Sequence, residues 1–225
     1  QCYYVDKPPL ALQLVQQGKY FFLSRPRRFG KSLFLDTLKE LFEGHAALFK
    51  GLYAERHWNW SVKYPVLRFS FGGGVLGSVE DLQQSLHAQL ARHEASCGLP
   101  QKYPDARNRC IELIQHLATT TGQRVVVLVD EYDKPLLDNI TDSSVAAEMR
   151  NGLRNLYSVI KDNDAHIRFA FLTGVSKFSK VSLFRGLNNL EDITLDPRYS
   201  ALCGYTQTEL EQHFGEHLQG ADMSL

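Results

Sequence analysis

Apolar positions along this chain follow two periods in turn, and that alternation predicts its architecture. Short unbroken apolar runs, bounded by polar, Gly or Pro residues, predict strands at Tyr20–Ser24, Val66–Phe71, Val125–Val129, Arg168–Leu172 and, less strongly patterned, Asp192–Leu195. Between them the spacing is helical. Phe34, Leu38, Leu41 and Phe42 form one stripe in a helix predicted from Ser32 to Glu43. Leu82, Leu86 and Leu90 repeat every fourth residue between Ser78 and Ser96. Ile111, Ile114 and Leu117 mark a helix over Asp105–Thr120, and Leu153, Leu156, Tyr157 and Ile160 mark another over Ser144–Lys161. A short helix, Leu10–Gln17, precedes the first strand, and a further helical pattern starts at Thr206. Gly72-Gly73-Gly74 and the stretch from Leu99-Pro100 to Tyr103-Pro104 read as loops. Strands alternating with helices predict an α/β fold with a mainly parallel sheet covered on both faces.

Composition narrows the class. With 44% hydrophobic and 22% charged residues over 225 positions, the chain is an ordinary globular protein rather than a disordered one. That length accommodates one sizeable α/β domain, or a domain and part of another. A formal net charge of zero removes any global electrostatic argument for nucleic acid, leaving only a local patch. Cys2, Cys97, Cys110 and Cys203 are scattered without a C-x-x-C pair, which fits reduced thiols and a cytoplasmic setting. No run approaches the roughly 18 apolar residues of a membrane span, so no membrane partner is expected. The chain opens at Gln1 without Met and its last helical pattern gives out at Gly220, as expected of a fragment or single domain.

The chemistry begins after the first strand. Arg25-Pro26-Arg27-Arg28-Phe29-Gly30-Lys31-Ser32 sits between an apolar strand and a helix, the context a phosphate-binding loop requires. Gly30 lets backbone N–H groups approach phosphate, Lys31 reaches its oxygens, and the Ser32 hydroxyl suits Mg²⁺. Arg25 departs from the pattern G-x-x-x-x-G-K-[ST], which places Gly there. Arg25, Arg27, Arg28 and Lys31 concentrate four cations in seven residues, for a triphosphate, for neighbouring acids or for DNA.

Val125-Val126-Val127-Leu128-Val129-Asp130-Glu131 is the second motif. A run of aliphatic residues predicts a fully buried strand, and its acidic pair emerges at the C-terminal edge, where open α/β sheets bind ligands. An Asp there holds Mg²⁺ opposite the loop Ser, and the adjacent Glu suits a general base for water. The alternative is a solvated acidic turn, and Asp133-Lys134-Pro135 does look turn-like. Thr173-Gly174 ends the next strand, either to orient water against the γ-phosphate or simply to turn.

These motifs, together with Tyr4-Val5-Asp6-Lys7, Leu172-Thr173-Gly174-Val175-Ser176 and Gly186-Leu187-Asn188-Asn189-Leu190-Glu191-Asp192, closely resemble the bacterial AAA-ATPase-like family. In that family a P-loop ATPase is commonly followed by a PD-(D/E)xK nuclease-like domain. The resemblance implies an additional-strand (AAA-like) sheet ordered Asp192–Leu195, Tyr20–Ser24, Arg168–Leu172, Val125–Val129, Val66–Phe71. It implies a core over residues 1–203 and the start of a helical lid over 204–225. Under it ATP and Mg²⁺ are the expected ligands. Arg27, Arg28, Phe29, Gly30, Lys31, Ser32 and Leu33 form the cradle, Ser32 and Asp130 hold the metal, and Glu131, Lys31 and Thr173 do the chemistry. Of a nuclease signature, Pro104-Asp105 is present, but no Asp-x-Lys or Glu-x-Lys follows at useful distance. Nucleic acid is thus an expectation for a longer protein.

Lesser candidates remain open. Arg185 lies where oligomeric relatives often place an arginine finger, though surface exposure explains it equally; Lys177 and Lys180 share the ambiguity. His213 and His217 stand four apart without a third metal ligand. Tyr4 either stacks on a base or packs beneath the sheet. Two function classes follow: a Mg²⁺-dependent ATPase, or a nucleotide-gated binding switch with little hydrolysis. A module acting on nucleic acid is a third.

Overall fold

The computed structural model describes residues 4–177 and 190–215. Its centre is a sheet of β1 (Tyr20–Ser24), β2 (Val66–Ser70), β3 (Val125–Asp130), β4 (Ile167–Gly174) and β5 (Glu191–Asp192). Every neighbouring pair is parallel, and the order in space is β2-β3-β4-β1-β5. β4 therefore lies between the strand that ends in the basic loop and the strand that ends in Asp130.

Around the sheet run α1 (Pro8–Gln17), α2 (Lys31–Glu43), α3 (Ala54–His57), α4 (Val79–Cys97), α5 (Ala106–Thr121), α6 (Lys134–Leu137), α7 (Ser143–Asp162) and α8 (Gln207–Phe214). They form two layers because the strands are apolar on both faces. Tyr20, Phe22, Val125, Val127 and Val129 pack against Leu82, Leu86, Leu113, Leu153 and Ile160 of α4, α5 and α7. Their alternates Phe21, Leu23, Val126 and Leu128 pack against Leu14 of α1 and Phe34, Leu38, Leu41 and Phe42 of α2. Each fully buried side chain of this kind contributes about 1.5–3 kcal/mol. β4 breaks strict alternation. Its register shifts between Val125 and Val126, so Ile167 pairs with Val125 while Phe169 pairs with Val126. Ile167 and Phe169 consequently face opposite layers.

The last strand is shorter than the pattern predicts. Only Glu191 and Asp192 pair with β1, and Leu195 is 84% exposed. Ile193 still donates to the Phe22 carbonyl at 3.0 Å, but Asp196 N–H then turns back to the Ile193 carbonyl at 3.2 Å. The Asp196 side chain accepts from Arg198 N–H as a cap, so the Asp-Pro turn overrides the strand tendency of Thr194 and Leu195. Among the described residues, no helix is long and apolar enough to cross a membrane.

Candidate functional site

Most long helices here begin on a side-chain cap. Ser78 and Asp81 form a capping box on α4, Asp105 caps α5, and Asp142 caps α7. α2, like α1, lacks such a cap: its N-cap is Gly30, with no side-chain oxygen to take the first N–H groups. The uncapped N–H groups and the positive end of the helix dipole suit an anion. The loop reaches this point through left-handed backbone at Arg28 (φ 63°) and Gly30 (φ 87°). Gly takes that conformation without penalty, whereas Arg28 does so at a cost of roughly 1 kcal/mol. Arg27, Arg28, Phe29, Ser32 and Leu33 are exposed, so the predicted cradle faces outward, while Lys31 is buried.

Lys31 turns back into its own loop. Its Nζ donates to the carbonyls of Arg25 at 2.9 Å and Pro26 at 2.8 Å. Burial pushes its pKa below the ordinary lysine value, opposed by the carboxylates of Asp130, Glu131 and Asp133 and by Cys203. The parallel register puts the acidic turn and the loop at the same edge of the sheet, with Ser24 opposite Gly174 and Val129 opposite Leu172. Arg25, which stands in place of the expected Gly, does not point to the cradle. Its guanidinium donates to the Thr194 carbonyl and, at 3.4 Å, to that of Ser24.

The acidic turn follows β3. Asp130 is buried; its Oδ1 accepts from the Thr173 hydroxyl at 2.8 Å. Its Oδ2 faces the Arg68 guanidinium at 3.7 Å, beyond hydrogen-bond distance. Glu131 adopts a left-handed backbone (φ 53°), a strained conformation that cannot continue the strand. Its carboxylate lies against Gly72, where an added Cβ would come within 3.0 Å of Oε2. The side chains proposed for the metal, the Asp130 and Glu131 carboxylates and the Ser32 hydroxyl, offer oxygen. That hard set fits Mg²⁺.

The next two residues, Tyr132 and Asp133, of which the sequence marked Asp133 as turn-like, join β3 to β4. The fully buried Asp133 accepts from Val175 N–H at 3.2 and 3.1 Å and from Ser176 N–H at 2.6 Å. The Tyr132 hydroxyl donates to the Ser176 carbonyl at 2.8 Å. From the opposite side, the Ser24 hydroxyl donates to the Val175 carbonyl at 2.8 Å and Arg25 N–H to the Gly174 carbonyl at 3.2 Å. Residues 174–176 are thus a strap held by the basic loop on one side and the acidic turn on the other. The exit of a strand carrying buried Thr173 is fixed by both motifs.

Beside the loop opens a cavity of about 400 Å³, lined by Tyr4, Phe29, Leu33, Phe34, Leu202 and Tyr205, among others. This is the lower part of the size range of small-molecule sites, and its lining is mainly apolar. Tyr4 lies at its wall, with its hydroxyl bonded to Thr37 Oγ1 at 3.0 Å. Lys7 Nζ reaches Glu209 at 2.6 and 2.8 Å and so ties the N-terminal arm to α8 across the cavity. Burial pushes the Cys203 thiol, also on the wall, up to about 11 against the pull of Arg25, Lys31 and Lys7.

Lys31, Asp130, Glu131 and Thr173 therefore meet at one edge of the sheet, with Ser32 one helical position beyond Lys31. Arg27 does not line the cavity, whereas Arg28, Phe29, Gly30 and Leu33 do. Arg185, Lys180 and His217 lie outside the described residues; His213 is exposed on α8, and Lys177 pairs with Asp192 at 3.2 Å. Asp133, Arg68 and the Lys7–Glu209 pair escaped sequence reasoning. Only the acidic character of the turn signalled Asp133; Lys7 stood in a motif, Tyr4-Val5-Asp6-Lys7, that gave no hint of its partner, and nothing local signalled Arg68.

Comparison with known proteins agrees with this geometry at the level of family. A family model described as predicted AAA-ATPase matches residues 1–184. An uncharacterized protein in the vnfD 5' region of Azotobacter chroococcum mcd 1 is 59% identical over 220 residues, covering 98% of this chain and 43% of that protein. The chain thus spans less than half the length of that relative. No solved structure matches. With its loop, acidic turn and five-stranded parallel sheet in place, the chain belongs to the AAA-ATPase-like family of predicted AAA-ATPases.

Proposed function

We propose that the chain binds ATP with Mg²⁺ and hydrolyses it at the C-terminal edge of its sheet, as an additional-strand P-loop ATPase. The observation that carries this reading is the convergence of three distant segments. Thr173 donates to Asp130 at 2.8 Å, and the parallel register through β4 sets the loop after Ser24 beside the turn after Asp130, with Gly174 opposite Ser24 and Leu172 opposite Val129. A buried acid bonded to a buried hydroxyl beside an uncapped helix N-terminus has little structural rationale and a ready chemical one.

In this reading the backbone N–H groups from Arg27 to Leu33 hold the phosphates. Lys31 exchanges its own loop carbonyls for phosphate oxygens. Ser32 and Asp130 would hold Mg²⁺, which when bound neutralises charge on the transferring phosphoryl group. Glu131 accepts the proton of a water that attacks the γ-phosphorus, and Thr173 orients that water. The bond to the bridging oxygen breaks, giving ADP, phosphate and a proton. The cavity beside the loop takes the base against Tyr4, Phe29 and Leu33. Residues 1–203 form the core, and the helix α8, held by Lys7, begins a lid.

Phosphate release by the purified chain tests the reading. Lys31→Ala should lose nucleotide binding, and Glu131→Gln should retain nucleotide while losing turnover. Equal activity in both variants and the parent would sink the assignment. One observation favours a second reading, a nucleotide-gated switch with little hydrolysis: Lys31 donates to two carbonyls of its own loop. Tight ATP binding with no turnover above the Glu131→Gln background would favour it. In either case the work passes to parts of a longer protein. A nuclease-like region acting on nucleic acid, or a ring of further copies, is the receiver we propose to look for.

A further inference from the structure

Arg68 stands on β2, outside every motif described above, yet its guanidinium reaches into the proposed metal site. Its Nη1 pairs with Asp36 of α2, and its Nη2 lies 3.7 Å from Oδ2 of Asp130. The three groups differ in surroundings. Asp130 is buried, the Arg68 side chain is 26% exposed and that of Asp36 is 50% exposed. The guanidinium therefore bridges a carboxylate cut off from water and one that faces it.

The consequences follow from charge. A buried carboxylate without a counter-charge is costly. Thr173 occupies Oδ1, the Lys31 ammonium also acts on Asp130, and Arg68 brings a further positive charge toward Oδ2, the oxygen left for a metal or its water. At 3.7 Å the contact is an ion pair and not a hydrogen bond, while the other guanidinium nitrogen is bonded to Asp36. A divalent cation arriving at Asp130 meets this like charge a few ångströms away, in a place too buried for salt to screen well. ATP phosphates offset that repulsion, since they bring negative charge of their own.

We propose that Arg68 is a positioning residue that serves, beside Lys31, as a resident counter-ion of Asp130, excluding free divalent cations and admitting them only with nucleotide. Asp36 sets how firmly Arg68 is held off. This rests on the reading of Asp130 as the metal-holding residue. A plain structural role, pinning α2 to the edge of β2, makes a different prediction. There, removing either partner loosens the same contact and neither raises metal affinity.

The test titrates Mn²⁺ into the full chain without nucleotide and follows the free ion by its paramagnetic resonance. Arg68→Gln should bind Mn²⁺ at least about tenfold more tightly than the parent, the order expected on removing a like charge at this distance. Arg68→Lys, which keeps the charge, should stay near the parent. Asp36→Asn should bind more weakly, because the freed guanidinium closes on Asp130. Asp36 lies at a half-exposed position, so the opposite sign of Asp36→Asn can be read even if Arg68→Gln folds poorly. Unchanged or weaker binding by a folded Arg68→Gln chain overturns the inference, as does tighter binding by Asp36→Asn. If Asp130→Asn abolishes Mn²⁺ uptake with ADP while Arg68→Gln changes nothing, the Arg68 inference falls alone. If Asp130→Asn leaves Mn²⁺ uptake intact in every background, the metal assignment falls with it.

Discussion

Replacing Asp133 should separate the joint between β3 and β4 from the chemistry it supports. Its carboxylate is fully buried and accepts from two backbone N–H groups, Val175 through both oxygens and Ser176 at 2.6 Å. A hydrogen bond to a charged group contributes about 1.5–3 kcal/mol, and a buried donor left unmade costs about 1–3 kcal/mol. Val175 and Ser176 are only half-buried, so water recovers part of the loss. Asp133→Ala should therefore destabilise by about 3–5 kcal/mol, a large share of the ~5–15 kcal/mol typical of a domain. Asp133→Asn is milder. With its amide oxygen in the Oδ2 position it still accepts from both N–H groups, and only its NH₂ faces Val175 N–H donor to donor. About 1–2 kcal/mol is expected. Urea unfolding with the slope held constant gives both values. Turnover should fall further than ATP affinity, because the strap fixes the exit of the strand that carries Thr173. A cost below about 1 kcal/mol for Ala, or equal costs for Ala and Asn, would refute the reasoning.

Three other outcomes are expected. Gly174→Ala places a methyl 2.4 Å from two Tyr132 ring carbons and 2.6 Å from Asp133 Oδ1, so it should destabilise by about 3 kcal/mol or more; a melting temperature within a degree of the parent would contradict this. Arg25→Gly restores the usual loop pattern but removes the bonds to the Thr194 and Ser24 carbonyls; it should lose about 1–2 kcal/mol of stability without raising turnover, measured by urea unfolding and phosphate release. Cys203, pushed up to about 11 by burial, carries little thiolate at pH 8. Alkylation followed by mass spectrometry should proceed about a hundredfold slower than at an ordinary thiol, accelerate as pH rises toward 11, and slow further with ATP; rapid labelling at pH 7 would contradict both the burial and the pKa.

Much of this arrangement was legible in the sequence because its signals are local. A run such as Val125–Val129 has one physical home, a strand covered on both faces, and Gly30-Lys31-Ser32 announces a loop that leads into a helix. Residues that matter through distant partners left no such trace. Arg68 is an unremarkable basic residue in a strand until α2 brings Asp36 beside it and β3 brings Asp130. Lys7 and Glu209 are about two hundred positions apart, and their pairing depends on where α8 lands. The end of β5 failed for a local reason: strand tendency at Thr194 and Leu195 competed with a turn signal at Asp196-Pro197, and the turn won.

Arg25 ties these strands of reasoning together. In the usual loop a Gly at that place lets the chain turn sharply toward phosphate. Here the Arg25 N–H reaches the Gly174 carbonyl, and its guanidinium reaches Thr194 beyond β5. The Thr194 hydroxyl in turn accepts from Ser24 N–H at 3.0 Å. The start of the loop is therefore clamped between the strap on one side and the β5 turn on the other, and Pro26 restricts the backbone of the residue before it to extended conformations. Rigidity at the start of the cradle comes from side-chain anchoring rather than from a tight glycine turn. The same strap is gripped from its far side by Asp133. The acidic turn and the base of the basic loop are thereby joined through three residues, without involving the bulk of the core.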